Sequence, residues 1–183
     1  MDPAVTADKA ALRRTALAAR GQGGDQAALS RRLVEALAPH AGKVLSGYWP
    51  MRGEPDPRPA MAVHAGPLCL PVVPGRAVPL MFRRWTGEPL EPGPLGTSQP
   101  SPTLPEITPE VLIVPLVAFD GRLNRLGYGG GYYDRTLELL RRSAPVVAIG
   151  LAWAVQRLPA IPAEAFDQPL DMIVTDAETL IRP

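Results

Sequence analysis

Residues 124–135, Asn-Arg-Leu-Gly-Tyr-Gly-Gly-Gly-Tyr-Tyr-Asp-Arg, hold the densest chemical pattern in the chain. Glycines at 127, 129, 130 and 131 carry no Cβ, so backbone N–H groups can close on an oxyanion and the chain can turn through positive φ. Arg125 and Arg135 add positive charge, and a helix starting at Tyr132 would aim the positive end of its dipole at the same point. Those are the properties of a phosphate cradle. No Gly-Lys-Ser/Thr follows, as a Walker loop requires, and the Gly-x-Gly-x-x-Gly register of a dinucleotide fold is missing. A bare glycine cluster would serve a tightly turning loop equally well, but the Tyr132-Tyr133-Asp134 that follows argues against mere flexibility. Asp134 offers the hard carboxylate oxygen that Mg²⁺ takes; as a first-turn residue it would also favour the helix dipole.

Composition narrows the chemistry further. The 183 residues include one cysteine, Cys69, and two histidines, His40 and His64, which excludes a disulfide framework and a Cys/His zinc cage. Any metal must then be a hard ion held by carboxylates. Of the 19 basic residues only Lys9 and Lys43 are lysines, so a chain that writes Arg almost everywhere keeps Lys at position 9. Lys9 and Arg13 are four apart on one helix face, where like charges repel by a few tenths of a kcal/mol. Taken alone, that spacing describes a solvated face. A net charge of +1 gives no field strong enough to hold a nucleic-acid backbone. The opening Met1-Asp2-Pro3 lacks the basic and apolar regions of a leader, and no stretch approaches about 18 apolar residues, so a cytoplasmic protein without nucleic-acid or membrane partners is expected.

The elements that must position these residues follow from periodicity. Residues 6–20 read as a helix capped by Thr6 and stopped by Gly21, and residues 25–38 as a second with Leu29, Leu33, Val34 and Leu37 on one stripe. Strands are predicted over 44–49, 68–73, 80–85, 111–119, 146–151 and 172–175, and a helix over 132–142. Asp56-Pro57 reads as a helix start and Gly66 as its stop. Seven prolines between Thr86 and Glu110 are too many for regular structure, and they predict a long surface loop at about 86–110 within one domain. Strands alternating with helices predict a single α/β domain over residues 1–183, with an open, mostly parallel sheet and helices on both faces as a three-layer α/β/α. The glycine segment then lies after a buried strand and before a helix, where such sheets present ligand sites.

With the elements in place, Arg125-Leu126-Gly127-x-Gly129-x-Gly131-Tyr132-Tyr133-Asp134 resembles the signature of the 5-formyltetrahydrofolate cyclo-ligases, also called 5,10-methenyltetrahydrofolate synthetases. Lys9-x-x-x-Arg13 resembles that family's N-terminal Lys/Arg pair, Tyr48-Trp49-Pro50-Met51-Arg52-Gly53-Glu54 its folate segment, and Phe166-Asp167 a block usually written His-Asp. The resemblance implies an ATP site built from Lys9, Arg13, Arg125, Leu126, Gly127, Tyr128, Gly129, Gly130, Gly131, Tyr132 and Tyr133. It implies a folate site with Glu54 on the pterin edge and Trp49, Met51 and Tyr132 as apolar walls, although core packing accounts for Trp49 and Met51 equally well. Mg²⁺ would sit on Asp134 and Asp167. The implied reaction is ATP- and Mg-dependent conversion of 5-formyltetrahydrofolate to 5,10-methenyltetrahydrofolate through an iminium phosphate, by a monomer or weak homodimer whose partners are small molecules. Phe166 stands where relatives usually have His, Val73 where many have Arg, and Tyr128 and Gly130 fill positions that are often basic. Two other readings compete: a noncatalytic nucleotide- or folate-binding module, and a sugar-phosphate or CoA-transferase-like enzyme. The last would need a Glu nucleophile in a glycine-rich turn, which the sequence lacks.

Overall fold

The computed structural model describes residues 3–182, with side chains from Asp8 onward. Its first half runs α1 (Pro3–Arg20), α2 (Gln26–Leu37), β1 (Leu45–Ser46), α3 (Arg58–Met61), β2 (Leu68–Val72), β3 (Met81–Arg84), β4 (Glu91–Pro92) and β5 (Ser98–Gln99). The second half runs β6 (Val111–Pro115), β7 (Ala118–Phe119), β8 (Arg125–Leu126), α4 (Tyr132–Ser143), β9 (Val147–Leu151), β10 (Met172–Val174) and β11 (Thr179–Ile181).

Seven strands form one sheet in the order β11-β10-β9-β6-β1-β2-β3. Neighbours from β10 to β2 are parallel, and the antiparallel strands β11 and β3 close the two edges. Alternation along β6 divides its side chains between two layers. Val111 and Ile113 face α2, where Leu29, Leu33 and Leu37 repeat at helical spacing. Leu112 and Val114 face Leu137 of α4 together with Phe82, Ala148 and Ile173. The expected three-layer α/β/α arrangement is therefore present. Asp25 starts α2 by accepting the N–H groups of Ala27 and Ala28 at 2.9 and 3.0 Å. α1 packs elsewhere: Ala16 meets Val117, Ala118 and Leu126 beyond the end of the main sheet.

From β1 the chain builds outward to β2 and β3 on one side, then returns through β6 to β9 and β10 on the other. The switch point falls between β1 and β6, so the segments leaving their carboxyl ends flank one crevice. Those segments are residues 47–55 and 116–131.

Several boundaries differ from expectation, each for a physical reason. The apolar run 111–119 is not one strand: Pro115 cannot donate to the ladder, and after it Ala118–Phe119 pairs with Arg125–Leu126 in a separate ribbon under α1. Its apolar composition reports burial, not strand continuity. The strand expected over 44–49 is laddered only at Leu45–Ser46. The helix expected from Asp56 to Gly66 is one turn; Asp56 instead binds the Arg58 N–H and guanidinium. α1 begins at Pro3, so Thr6 lies inside the helix and not at its cap. The Pro-rich stretch contains the β4–β5 pair around a 3₁₀ turn, Pro94–Gly96. Edge strand β11 had no sequence expectation. Among the described residues, no helix is long and apolar enough to cross a membrane.

Candidate active site

The crevice at the switch point opens into a cleft of about 960 Å³. Every residue expected to bind ATP, folate or metal lines it: Lys9, Arg13, Trp49, Met51, Glu54, Asp167 and the whole run Arg125 to Asp134.

The glycine segment forms the floor. Gly131 adopts φ 63° at the start of α4, with no side chain capping the helix, so its first N–H groups are left to the cleft. Gly129 has φ 96°, a conformation L-residues rarely adopt, and a Cβ there would touch the Arg13 guanidinium at 3.4 Å. Gly127 differs: its φ is ordinary and a Cβ would meet nothing within 4 Å, so the protein's own packing does not explain a glycine there. Open space over Gly127, backed by uncapped N–H groups and Arg13, fits a bound phosphate. Arg13 Nε donates to the Gly127 carbonyl at 2.8 Å, which fixes the loop from α1.

Lys9 and Arg125 are tied to carboxylates. Lys9, on what the spacing alone describes as a solvated face, is buried, and its Nζ lies 2.8 Å from Glu164 and 2.9 Å from Asp167. Burial would lower its proton affinity, but hydrogen bonds to Glu164 and Asp167 and their charges outweigh that and raise it. Arg125 donates to Asp134 at 2.5 Å and to the Gln168 carbonyl, and the Gln168 N–H binds Asp134 at 3.0 Å. Gln168 thereby ties the loop that carries Asp167 to Asp134. Among the described residues no cluster of three or more Asp, Glu, His or Cys forms a protein-only cage. Mg²⁺ usually takes one or two carboxylates plus substrate phosphates, and Asp134 and Asp167 fit that mode.

The opposite wall begins where β1 ends. Arg52 and Gly53 both have positive φ, 51° and 76°, as a type I′ turn requires, and the Glu54 N–H closes the turn on the Met51 carbonyl at 3.0 Å. Tyr48 Oη donates to the Pro55 carbonyl at 2.7 Å and Trp153 Nε1 to the Gly53 carbonyl at 3.0 Å. The turn therefore points a buried Glu54 carboxylate at the cleft, with Oε2 accepting the Met51 N–H at 3.0 Å and Oε1 the Tyr128 hydroxyl at 3.2 Å. Burial pushes Glu54 above the usual carboxylate range, and the Met51 N–H, Arg20 and Tyr128 pull it back. Trp49 stands edge-on to Trp85 at 6.0 Å, with the Arg58 guanidinium 4.4 Å over its ring, and Tyr132 and Met51 complete an aromatic and apolar lining. Cys69 stays out of the chemistry: burial pushes its thiol up to about 12.

Sequence reasoning missed Glu164, the second partner of Lys9, because nothing distinguishes a lone loop carboxylate. It missed Leu95 to Ser98, where the Pro-rich loop folds back to wall the cleft. It also missed Arg20, fully buried behind Glu54. An arginine closing a helix reads as a partner for the dipole, and it gives no further signal.

A mostly parallel α/β sheet with a glycine cradle, cations and carboxylates at its switch point is an architecture suited to small anionic ligands. The particular family follows from comparison with known proteins. The chain belongs to the 5-formyltetrahydrofolate cyclo-ligase family, whose model matches residues 5–176. It is 37% identical over 101 residues to the 5-formyltetrahydrofolate cyclo-ligase of Haemophilus influenzae, covering 52% of this chain and 54% of that protein. It is 45% identical over 71 residues to the enzyme of the same name from Escherichia coli K12, covering 38% of this chain and 37% of that protein. The matched segments thus span about half or less of those relatives. The solved structure of Aquifex aeolicus 5,10-methenyltetrahydrofolate synthetase superimposes with a TM-score of 0.74 at 28% identity, covering 94% of this chain and 92% of that one. The fold of a Mycoplasma pneumoniae 5,10-methenyltetrahydrofolate synthetase matches with a TM-score of 0.71 at 24% identity, covering 92% and 99%.

Proposed function

We propose that this protein closes 5-formyltetrahydrofolate to 5,10-methenyltetrahydrofolate at the expense of ATP, which becomes ADP and phosphate. The observation that carries the reading is the convergence of the glycine cradle, the α1 cations and the Glu54 turn on one cleft. An amide carbonyl is a poor electrophile and oxide a very poor leaving group. Transfer of the γ-phosphoryl group to the formyl oxygen solves both problems, giving an iminium phosphate; N10 then attacks the formyl carbon, and phosphate leaves with the formyl oxygen and the proton lost from N10. Such chemistry asks for positioning and charge neutralisation more than for a covalent nucleophile.

The residue types suit that division of labour. Backbone N–H groups from Gly127 to the start of α4 would cradle phosphate oxygens, and Arg13 supports the loop from beneath. Lys9 would exchange Glu164 and Asp167 for a nucleotide phosphate. Mg²⁺ held by Asp134 and Asp167 would neutralise charge on the transferring group. Arg125 would keep Asp134 oriented. Glu54 would accept hydrogen bonds from N–H groups of the pterin, between walls formed by Trp49, Met51 and Tyr132.

The test is to mix purified protein with ATP, Mg²⁺ and 5-formyltetrahydrofolate and follow the near-ultraviolet absorbance of the methenyl product alongside ADP. Both should rise together and stop when the metal is chelated. ATP and folate binding without either product would instead favour the noncatalytic module.

A further inference from the structure

Behind the Glu54 turn lies a charged side chain that the mechanism above does not use. Arg20, the last residue of α1, is 1% exposed and among the largest fully buried side chains. Its Nη2 donates to the Tyr128 hydroxyl at 2.6 Å and to the Arg52 carbonyl at 2.9 Å, while Nη1 stands 3.8 Å from Glu54 Oε1. The guanidinium also lies 5.4 Å from the centre of the Tyr128 ring. Nε and Nη1 are buried without a hydrogen-bond partner. Stability alone does not account for such a group, since an apolar side chain would fill the space without leaving buried donors unpaired.

The geometry explains it differently. Arg20 reaches from the helix that carries Lys9 and Arg13 to the turn that carries Glu54 and to Tyr128 of the glycine segment. We propose that Arg20 is a positioning residue for folate binding: it keeps Glu54 charged and aimed into the cleft, with the Tyr128 hydroxyl as the bridge between them. A buried carboxylate with no cation behind it would take up a proton and lose its capacity to accept hydrogen bonds from a ligand. The other charged or titratable groups facing Glu54 are Arg52 of its own turn, Tyr48 at the end of β1, Tyr128, and Tyr133 of α4. Tyr48 is buried and Tyr133 half-buried, desolvation holds both neutral, and Arg52 is exposed, so Arg20 is the buried cation among them.

The assignment to folate rests on the cyclo-ligase reading, so the test separates the two. The side-chain carboxyl of Glu54 is titrated by carbon-13 NMR in the wild type, Arg20→Met, Arg20→Lys and Tyr128→Phe, and the KM for each substrate is measured at neutral and mildly acidic pH. In Arg20→Met the Glu54 titration should move up by about one unit or more, and the folate KM should rise about tenfold on acidification while the ATP KM stays within about twofold. Arg20→Lys should return both toward wild type, and Tyr128→Phe should shift Glu54 less but in the same direction. An unmoved Glu54 titration in Arg20→Met, or equal changes in both KM values, would overturn the proposal. Should Arg20→Met not fold, the double variant Arg20→Met/Glu54→Gln decides: recovery of folding supports the pairing, and continued failure makes Arg20 merely structural. A wild type that forms no methenyl product would overturn the cyclo-ligase reading, and the Glu54 titration would still decide whether Arg20 holds that carboxylate charged.

Discussion

Glu54 and Lys9 show how single side chains take meaning from what surrounds them. Glu54 between Gly53 and Pro55 has the look of a solvated loop carboxylate, yet the turn buries it and commits one oxygen to the Met51 N–H. Replacing it by Gln keeps the shape and removes the charge. Hydrogen bonds to charged groups contribute about 1.5–3 kcal/mol, so the KM for 5-formyltetrahydrofolate should rise about tenfold or more while that for ATP moves little. Steady-state kinetics on both substrates checks this, and an effect confined to ATP would remove Glu54 from the folate site. Lys9→Met should give the mirror pattern, with the ATP requirement rising more than the folate requirement. Neither residue's surroundings were legible locally. Lys9 is separated from Glu164 and Asp167 by 155 and 158 positions, and only the tertiary fold brings such partners together.

At the level of elements, the glycine segment and α4 divide function from stability. Gly129 holds φ 96°, where an L-residue costs about 1–2 kcal/mol. Gly129→Ala should therefore weaken nucleotide binding about tenfold, measured by calorimetric titration, and unchanged affinity would argue against a backbone cradle. Leu137 is fully buried in the layer that α4 forms against the sheet. Leu137→Ala should cost about 2–5 kcal/mol in denaturant unfolding and leave both KM values unchanged. The sequence made the segment readable because glycines, paired tyrosines and a following helix are local signals. The folate wall was readable only in part: Trp49, Met51 and Glu54 stand close together in the chain, but the Pro-rich loop that returns to complete the wall carries no periodicity to place it. Strand ends were misjudged wherever burial continued past the ladder, as it does beyond Pro115.

Across the whole molecule, alternating helices and buried apolar runs were enough to imply a three-layer fold and a site at the strand ends, since both follow from short-range pattern and chain topology. The Lys9 cluster joins α1 to the 164–167 loop and makes stability depend on pH. Lys9 binds its proton more tightly in the folded chain than its usual value of 10.5, so its contribution is complete below that value and is lost as pH rises through the folded one. Thermal unfolding should therefore show wild type losing stability in strongly alkaline solution more steeply than Lys9→Met, and parallel curves would contradict the pairing. One oxygen atom reports the path of the reaction. With 5-formyltetrahydrofolate labelled with oxygen-18 in the formyl group, turnover should deliver the label into the released inorganic phosphate, one atom per methenyl product; methenyl product formed with unlabelled phosphate, or no product at all, would contradict the account.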